Sequence, residues 1–372
     1  MADEYGVFRF PMAGPDDVEP LARLVDKGEV DPRDIIAIIG KTEGNGRVND
    51  FTRGFATFAF QVFLAERLSV PRAALEERVA MVMSGGCEGI MSPHATVFTR
   101  RPAEGGAARR GEGRLAVGVA FTRELLSEEV GTTVQARLVA EAVRRAMKDV
   151  GIASPADVHY VQTKGPVLTP PRVAQAQARG RGVVTTDMVR SFGFSNGASA
   201  LGVGIALGEV PEAEVTDAVV GAKTDLYCSV ASSSAGIEIL RCAVVVMGNS
   251  AESVSRFRIG HGVMQDSLDV GAVCAGLRGA GIPCDGGLPA PADLPRVAAV
   301  FAKGGIAANG EVRGRRTTPL TDSDIGTRHL RAVVNAVIAA VIGDPMVYVS
   351  AGWSPHQGPL AGGPVAVIAE VA

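Results

Sequence analysis

Three lysines and three serines end or interrupt apolar, strand-like runs in this chain. Lys41 ends IIAIIGK, Lys164 ends VHYVQTK and Lys303 ends VAAVFAK. Ser84 lies in VAMVMSGG, Ser234 ends the serine run of SVASSSAG, and Ser350 lies in MVYVSAG. Serine is a poor nucleophile at neutral pH and needs a base. A lysine stripped of water loses its charge and can take that role, so Ser–Lys pairs are a workable variant of the Ser–His logic. The residues after each serine are small: Gly85, Ala235 and Ala351. Short side chains there let a ligand reach a backbone N–H that can hold a carbonyl oxygen and the oxyanion formed on attack. Three such sites around one point suit a small, flat, polyamide ring. Arg53, and Arg328 or Arg331, are further donors for ring carbonyls. Ser232 competes with Ser234 for the nucleophile's place.

A phosphate loop at Gly40-Lys41-Thr42 is excluded by spacing. Such a loop needs a glycine at position 35, where the backbone would begin to wrap the phosphates, and that residue is Ile35. The glycines here follow the lysine instead of preceding it.

The elements that must position these residues recur. Between each lysine and its serine lies a helical pattern: Phe55–Leu68, Ser199–Leu207 and His329–Ile342. A further strand follows each serine, in RLAVGVAFT, RCAVVVMG and PVAVIAEVA. An extra helix is expected over Val134–Val150. The order Lys-strand, helix, Ser-strand, strand is therefore used three times, and such internal periodicity is the first thing to seek in a long chain. The expectation is an α/β protein of three pseudo-threefold-related repeats, 1–102, 113–249 and 255–372. Polar or glycine-rich stretches separate the units.

Composition narrows the function classes. In 372 residues, 37 Lys+Arg against 40 Asp+Glu leave almost no net charge, so no nucleic-acid or membrane-surface partner is expected. Apolar runs are strand-length, and the acidic start MADEYGVFRF does not resemble a signal peptide. Five scattered cysteines without a C-x-x-C fit a reducing, cytoplasmic setting. Five scattered histidines without H-E-x-x-H argue against a catalytic zinc site.

The motifs GKTEGNG, VNDFTR, VMSGGCEGIMSPHATVF, VQTKGPVLTP, SNGASALG, ASSSAGIE, VRGRR and HQGP with GGPVAVI follow one another along nearly the whole chain. Together they resemble the cyanuric acid hydrolase and barbiturase family of cyclic amide hydrolases. That resemblance implies a barbiturase-like or cyanuric acid hydrolase-like ring opening, in three α/β repeats packed as a barrel-like single unit, and a homotetramer. It implies Lys164 as base and Ser234 as nucleophile. Ser84 with Gly85, and Ser350 with Ala351, would bind the other ring carbonyls, and Lys41 and Lys303 would support them. Arg53, Asn196, Ala235 and Arg331 complete the implied substrate contacts. Cyanuric acid would open to carboxybiuret, which loses carbon dioxide to give biuret. Barbituric acid is the alternative substrate, and a binding relative without chemistry is the alternative class. No catalytic cofactor is implied, but backbone carbonyls at Trp353, Gln357, Gly358, Pro359 and Gly362 would form a structural Mg or Ca loop. Three departures stand out. Asn196 occupies the place of a second-repeat arginine, Gly305 that of an acidic metal ligand, and Trp353 lies in a corner one residue longer.

Overall fold

The computed structural model describes residues 2–103, 113–284, 287–305, 310–316 and 326–371. The first unit holds β1 (Asp3–Pro11), α1 (Glu19–Asp26), β2 (Ile35–Thr42), α2 (Thr52–Leu68), α3 (Arg72–Glu76), β3 (Ala80–Gly85) and β4 (His94–Pro102). The second holds β5 (Arg114–Glu124), α4 (Thr133–Asp149), β6 (Val158–Pro166), α5 (Pro170–Ala178), α6 (Met188–Leu207), β7 (Ala231–Gly236) and β8 (Arg241–Ser250). The third holds β9 (Phe257–Met264), α7 (Val270–Gly279), β10 (Val297–Gly304), the short strands β11 (Glu311–Val312) and β12 (Arg315–Arg316), α8 (Gly326–Ile342), β13 (Tyr348–Ala351) and β14 (Gly363–Glu370).

Three four-stranded sheets share one order: β1-β4-β2-β3, β5-β8-β6-β7 and β9-β14-β10-β13. In each, the lysine strand and the serine strand pair in parallel and every other contact is antiparallel. Among the described residues no strand pairing joins the sheets into one closed barrel. One expectation needs correction. RLAVGVAFT was assigned as the strand following Ser84, but it forms β5 and opens the second sheet. The strand of the first sheet is β4, HATVFTRRP. Each unit also begins with an outer strand, β1, β5 or β9, which the repeated order omitted.

The sheets are covered on both faces, so their inner strands read as almost unbroken apolar runs. One shared core gathers Ile39, Phe98, Tyr160, Phe301 and Tyr348 from all three sheets. The outer faces pack against each unit's own helices, as with Phe60 and Leu64 of α2 and Val334 and Ile338 of α8. Helix α6 is opened by Asp187, whose carboxylate accepts from Val189 N and Arg190 N, and closed by Gly208 at φ +76°. Its run of Gly, Ala and Ser lets it be buried nearly all round. None of the described helices is long and apolar enough to cross a membrane.

Helix α7 crosses β9 so closely that a Cβ on Gly262 would lie 2.1 Å from Ala272 O. Gly262→Ala should therefore destabilise the fold by about 1–3 kcal/mol, the usual cost of overpacking, and lower Tm in thermal unfolding. Gly182→Ala, at a position with open space around it, should leave Tm nearly unchanged. Equal Tm values for the two variants would contradict the contact.

Candidate active site

The parallel pairing brings each lysine opposite its serine. Lys41 is the register partner of Ser84, Lys164 of Ser234 and Lys303 of Ser350. Partners in parallel strands project from the same face, here towards the junction of the units. Lys41 Nζ donates to Ser84 Oγ at 3.3 Å and to Gly85 O at 3.2 Å. Lys303 Nζ donates to Ser350 Oγ at 3.0 Å and to Ser233 O of the second unit at 2.8 Å. Lys164 differs. Its Nζ donates to Met83 O of the first unit at 3.2 Å and forms an ion pair with Glu238. Ser234 Oγ donates instead to Thr163 O at 3.3 Å. All three lysines are fully buried, so each ammonium group is held by neighbouring backbone or side chains and not by water.

A cavity of about 400 Å³ lies over these strand ends. Arg53, Ser84, Gly85, Asn196, Ser234, Ala235, Lys303, Arg331, Ser350 and Ala351 line it. Every residue expected to contact substrate is thus on one wall or another. Lys41 and Lys164 lie behind that lining. A larger cleft of about 580 Å³ runs from α2 and α3 to β8 and touches Lys164 and Glu238, but none of the three serines. The smaller cavity, where hydroxyls, small-residue backbone and guanidinium groups converge, is the better place for ring chemistry.

Burial and neighbouring cations tune the site. Desolvation, then Arg331, pushes Lys41 down to about 8. Desolvation, then Lys41 and Arg331, pushes Lys303 down to about 7. Burial pushes the Glu238 carboxyl up, but the Lys164 charge and hydrogen bond, then Arg53, outweigh it and hold it at about 2.

Position separates the alternatives for the serine and the arginine. Ser232 is fully buried one layer below Ser234 and donates to Gln162 Oε1 at 2.9 Å, so it does not face the cavity. Arg331 lines the cavity and pairs with Glu88, its Nε donating to Glu88 Oε2 at 2.6 Å; Arg328 lies in a separate surface hollow. Sequence reasoning missed Glu88 and Glu238, although both stand four residues after a repeat serine, a spacing visible in SGGCE and SAGIE. It also missed Arg190 and Phe192, which line the cavity from the first turn of α6.

The proposed cation loop is built differently from a dication site. Residues 353–363 contain no carboxylate. Gly362 O accepts from Gly305 N at 2.6 Å and Pro359 O from Gly362 N at 2.9 Å. Gln357 turns its Oε1 to Ser233 N at 2.6 Å, and His356 bridges Leu226 O and Gly221 N. Among the described residues no group of three or more His, Cys, Asp or Glu converges. The loop thus offers a cation such as Mg²⁺ or Ca²⁺ backbone carbonyls and no carboxylate of its own. The loop also pins the third unit to the strand that carries Ser234.

A model of the family described as amidohydrolase ring-opening protein matches residues 6–370. The chain belongs to this family. Among its relatives is a cyanuric acid amidohydrolase of Enterobacter cloacae, 52% identical over 98% of this chain and 99% of that protein. A cyclic amide hydrolase of Azorhizobium caulinodans is 47% identical over 98% of each chain. A solved structure of a cyanuric acid hydrolase superposes with a TM-score of 0.94 at 47% identity, covering 100% of both chains. A second, from A. caulinodans, gives 0.88 over 99% of both. This ring-opening amidohydrolase thus shares its mixed α/β fold with those enzymes from end to end.

The buried lysines should show in stability against pH. The folded pKa of Lys303, about 7, lies below that of an unfolded lysine. Between about pH 7 and 10 the unfolded chain binds the extra proton and the folded chain does not, so wild type gains stability as pH rises through this window. Lys303→Met lacks that gain. The Tm difference, wild type minus variant, should grow from pH 7 to 10; a flat difference would show that Lys303 keeps its charge when folded.

Proposed function

We propose that this chain hydrolyses a ring C–N bond of cyanuric acid, with Ser234 as nucleophile and Lys164 as base, on three α/β units arranged about a pseudo-threefold axis. One observation carries the reading: three serines, each the register partner of a buried lysine and each followed by a small residue, line a single cavity. The relatives named for cyanuric acid supply the substrate. A flat ring with three carbonyls matches three hydroxyl and N–H sites.

In this scheme Lys164 takes the Ser234 hydroxyl proton as Oγ attacks a ring carbonyl; it must first give up its own proton, so the ion pair with Glu238 is the resting arrangement and not the reacting one. The Ala235 N–H side of the strand end faces the oxyanion. The C–N bond breaks and Lys164 returns the proton to the leaving nitrogen. Water then hydrolyses the acyl-serine to carboxybiuret, and loss of carbon dioxide gives biuret. Glu238 has the place of the third member of a triad, because it orients the base and stabilises the ammonium formed on it. Lys164 and Ser234 are not hydrogen-bonded without substrate, a common state for catalytic contacts that tighten on binding. A second reading is favoured by a specific contact: Lys303 already touches Ser350 Oγ at 3.0 Å and is held near neutral pH.

Ser234→Ala should lower kcat by roughly 10³-fold or more, since it removes a covalent route. Ser84→Ala and Ser350→Ala should cost roughly tenfold, chiefly in KM. A 10³-fold loss at Ser350 with Ser234→Ala mild would transfer the chemistry to the third unit. Glu238→Gln should lower kcat roughly tenfold or more with KM little changed; an unchanged kcat would remove Glu238 from the mechanism.

A further inference from the structure

The three units differ at one corner of the cavity. Glu88 and Glu238 occupy the fourth position after Ser84 and Ser234. Each carries its charge beside a guanidinium from another unit: Glu88 is paired with Arg331 of the third, and Arg53 of the first helps hold Glu238 ionised. The same position after Ser350 is Ser354. The helix position that supplies Arg53-Gly54 in the first unit supplies Asn196-Gly197 in the second. The counterparts of the carboxylate and of the guanidinium are therefore missing together at the third corner.

These two positions adjoin. Helix α6 lies against the 353–356 loop so tightly that a Cβ on Gly193 would fall 1.8 Å from Trp353 Cε3, and one on Gly197 3.1 Å from Pro355 Cγ. The Trp353 indole packs edge-on to Phe194, with ring centroids 5.7 Å apart, and lines the cavity. Its counterparts in the other units are Cys87 and Ile237, both much smaller. Asn196 is nine-tenths buried, and Asn196 Oδ1 and Ser354 Oγ are buried with no hydrogen-bond partner. Such orphaned atoms are uncommon in folded proteins. They mark a corner where two charged groups have been exchanged for neutral ones and an indole fills the volume.

We propose that Asn196, Trp353 and Ser354 form an uncharged third recognition corner that sets ring specificity, holding the ring edge that carries no negative charge. The inference rests on the cyclic-amide reading above. Two guanidinium groups grip two edges of the ring, and the third edge meets a neutral amide, a hydroxyl and an indole wall. The corner thus accepts rings whose third edge stays neutral, and it gives up the discrimination that a fixed cation provides.

Restoring the charges tests this. Asn196→Arg and Ser354→Glu are made singly and together in a Trp353→Ile background, which clears the indole and copies the second unit. Each single change buries an unpaired charge and should lower kcat/KM for cyanuric acid at least tenfold against Trp353→Ile. The double change should recover most of that loss, a non-additivity that a double-mutant cycle reads directly. It should also raise the cyanuric-to-barbituric ratio of kcat/KM about tenfold. Additive losses, or an unchanged ratio in a double variant of normal Tm, would overturn the corner's role. A binding readout is independent of turnover. Trp353 is the chain's single tryptophan, so its emission in Ser234→Ala should change saturably with cyanuric or barbituric acid. Binding seen by calorimetry without an emission change would overturn the indole's place at the ring. Wild type that turns over neither ring would instead sink the proposed function, leaving the two failures distinct.

Discussion

The structure depends on placing three lysine ammonium groups in a dry interior. A buried charge without partners is costly, so each lysine must find oxygen acceptors or give up its proton. For two of the three lysines one acceptor comes from a neighbouring unit. Lys164 reaches Met83 O of the first unit and Lys303 reaches Ser233 O of the second. Lys41 lies over the ring of Tyr348 in the third, 5.9 Å from its centroid. In two units the accepting carbonyl belongs to the residue just before a repeat serine. The same contacts that solvate the lysines therefore set the backbone that aims the serines. Site and assembly of the units are one problem with one solution.

From this constraint the electrostatic differences among the pairs follow. Among the described residues Lys41 and Lys303 have no carboxylate hydrogen-bonded to them, and burial lowers Lys41 to about 8 and Lys303 to about 7. Lys164 has Glu238, drawn in by its own charge and by Arg53. One backbone pattern thus yields two lysines of lowered basicity and one ion-paired lysine. The partner of the acidic side chain four residues after the serine makes the difference: Glu238 pairs with Lys164, whereas Glu88 pairs with Arg331. This divergence within a repeated frame is how a threefold pattern can support a reaction that attacks only one carbonyl of a symmetric ring.

The 353–357 loop shows the cost of asymmetry on the scaffold side. Gln357 and His356 fasten the third unit to the second through Ser233 N, Leu226 O and Gly221 N. Amide and imidazole groups of the loop make these contacts. Its shape is consequently carried by hydrogen bonds and by the indole of Trp353 lying on Gly193, where only a glycine leaves room.

Much of this was written in the sequence. The apolar runs, the lysines and serines at their ends, and the small residues after the serines pointed to strand ends carrying lysine and serine, because an apolar run and its terminal polar residue are local properties. The residues expected at the substrate do line the cavity, although Arg190 and Phe192 of its wall were not among them. Local pattern could not say which strands were neighbours. RLAVGVAFT and HATVFTRRP look alike as apolar strands, and only long-range pairing made the first an outer strand of the second sheet. Nor could it show that Lys164 would meet Glu238 instead of Ser234, or that Ser232 would sink one layer below the cavity. Those outcomes depend on which buried groups of neighbouring strands come within hydrogen-bonding reach of one another. That reach is set by packing of residues far apart in the chain, and the sequence carries it only through the fold.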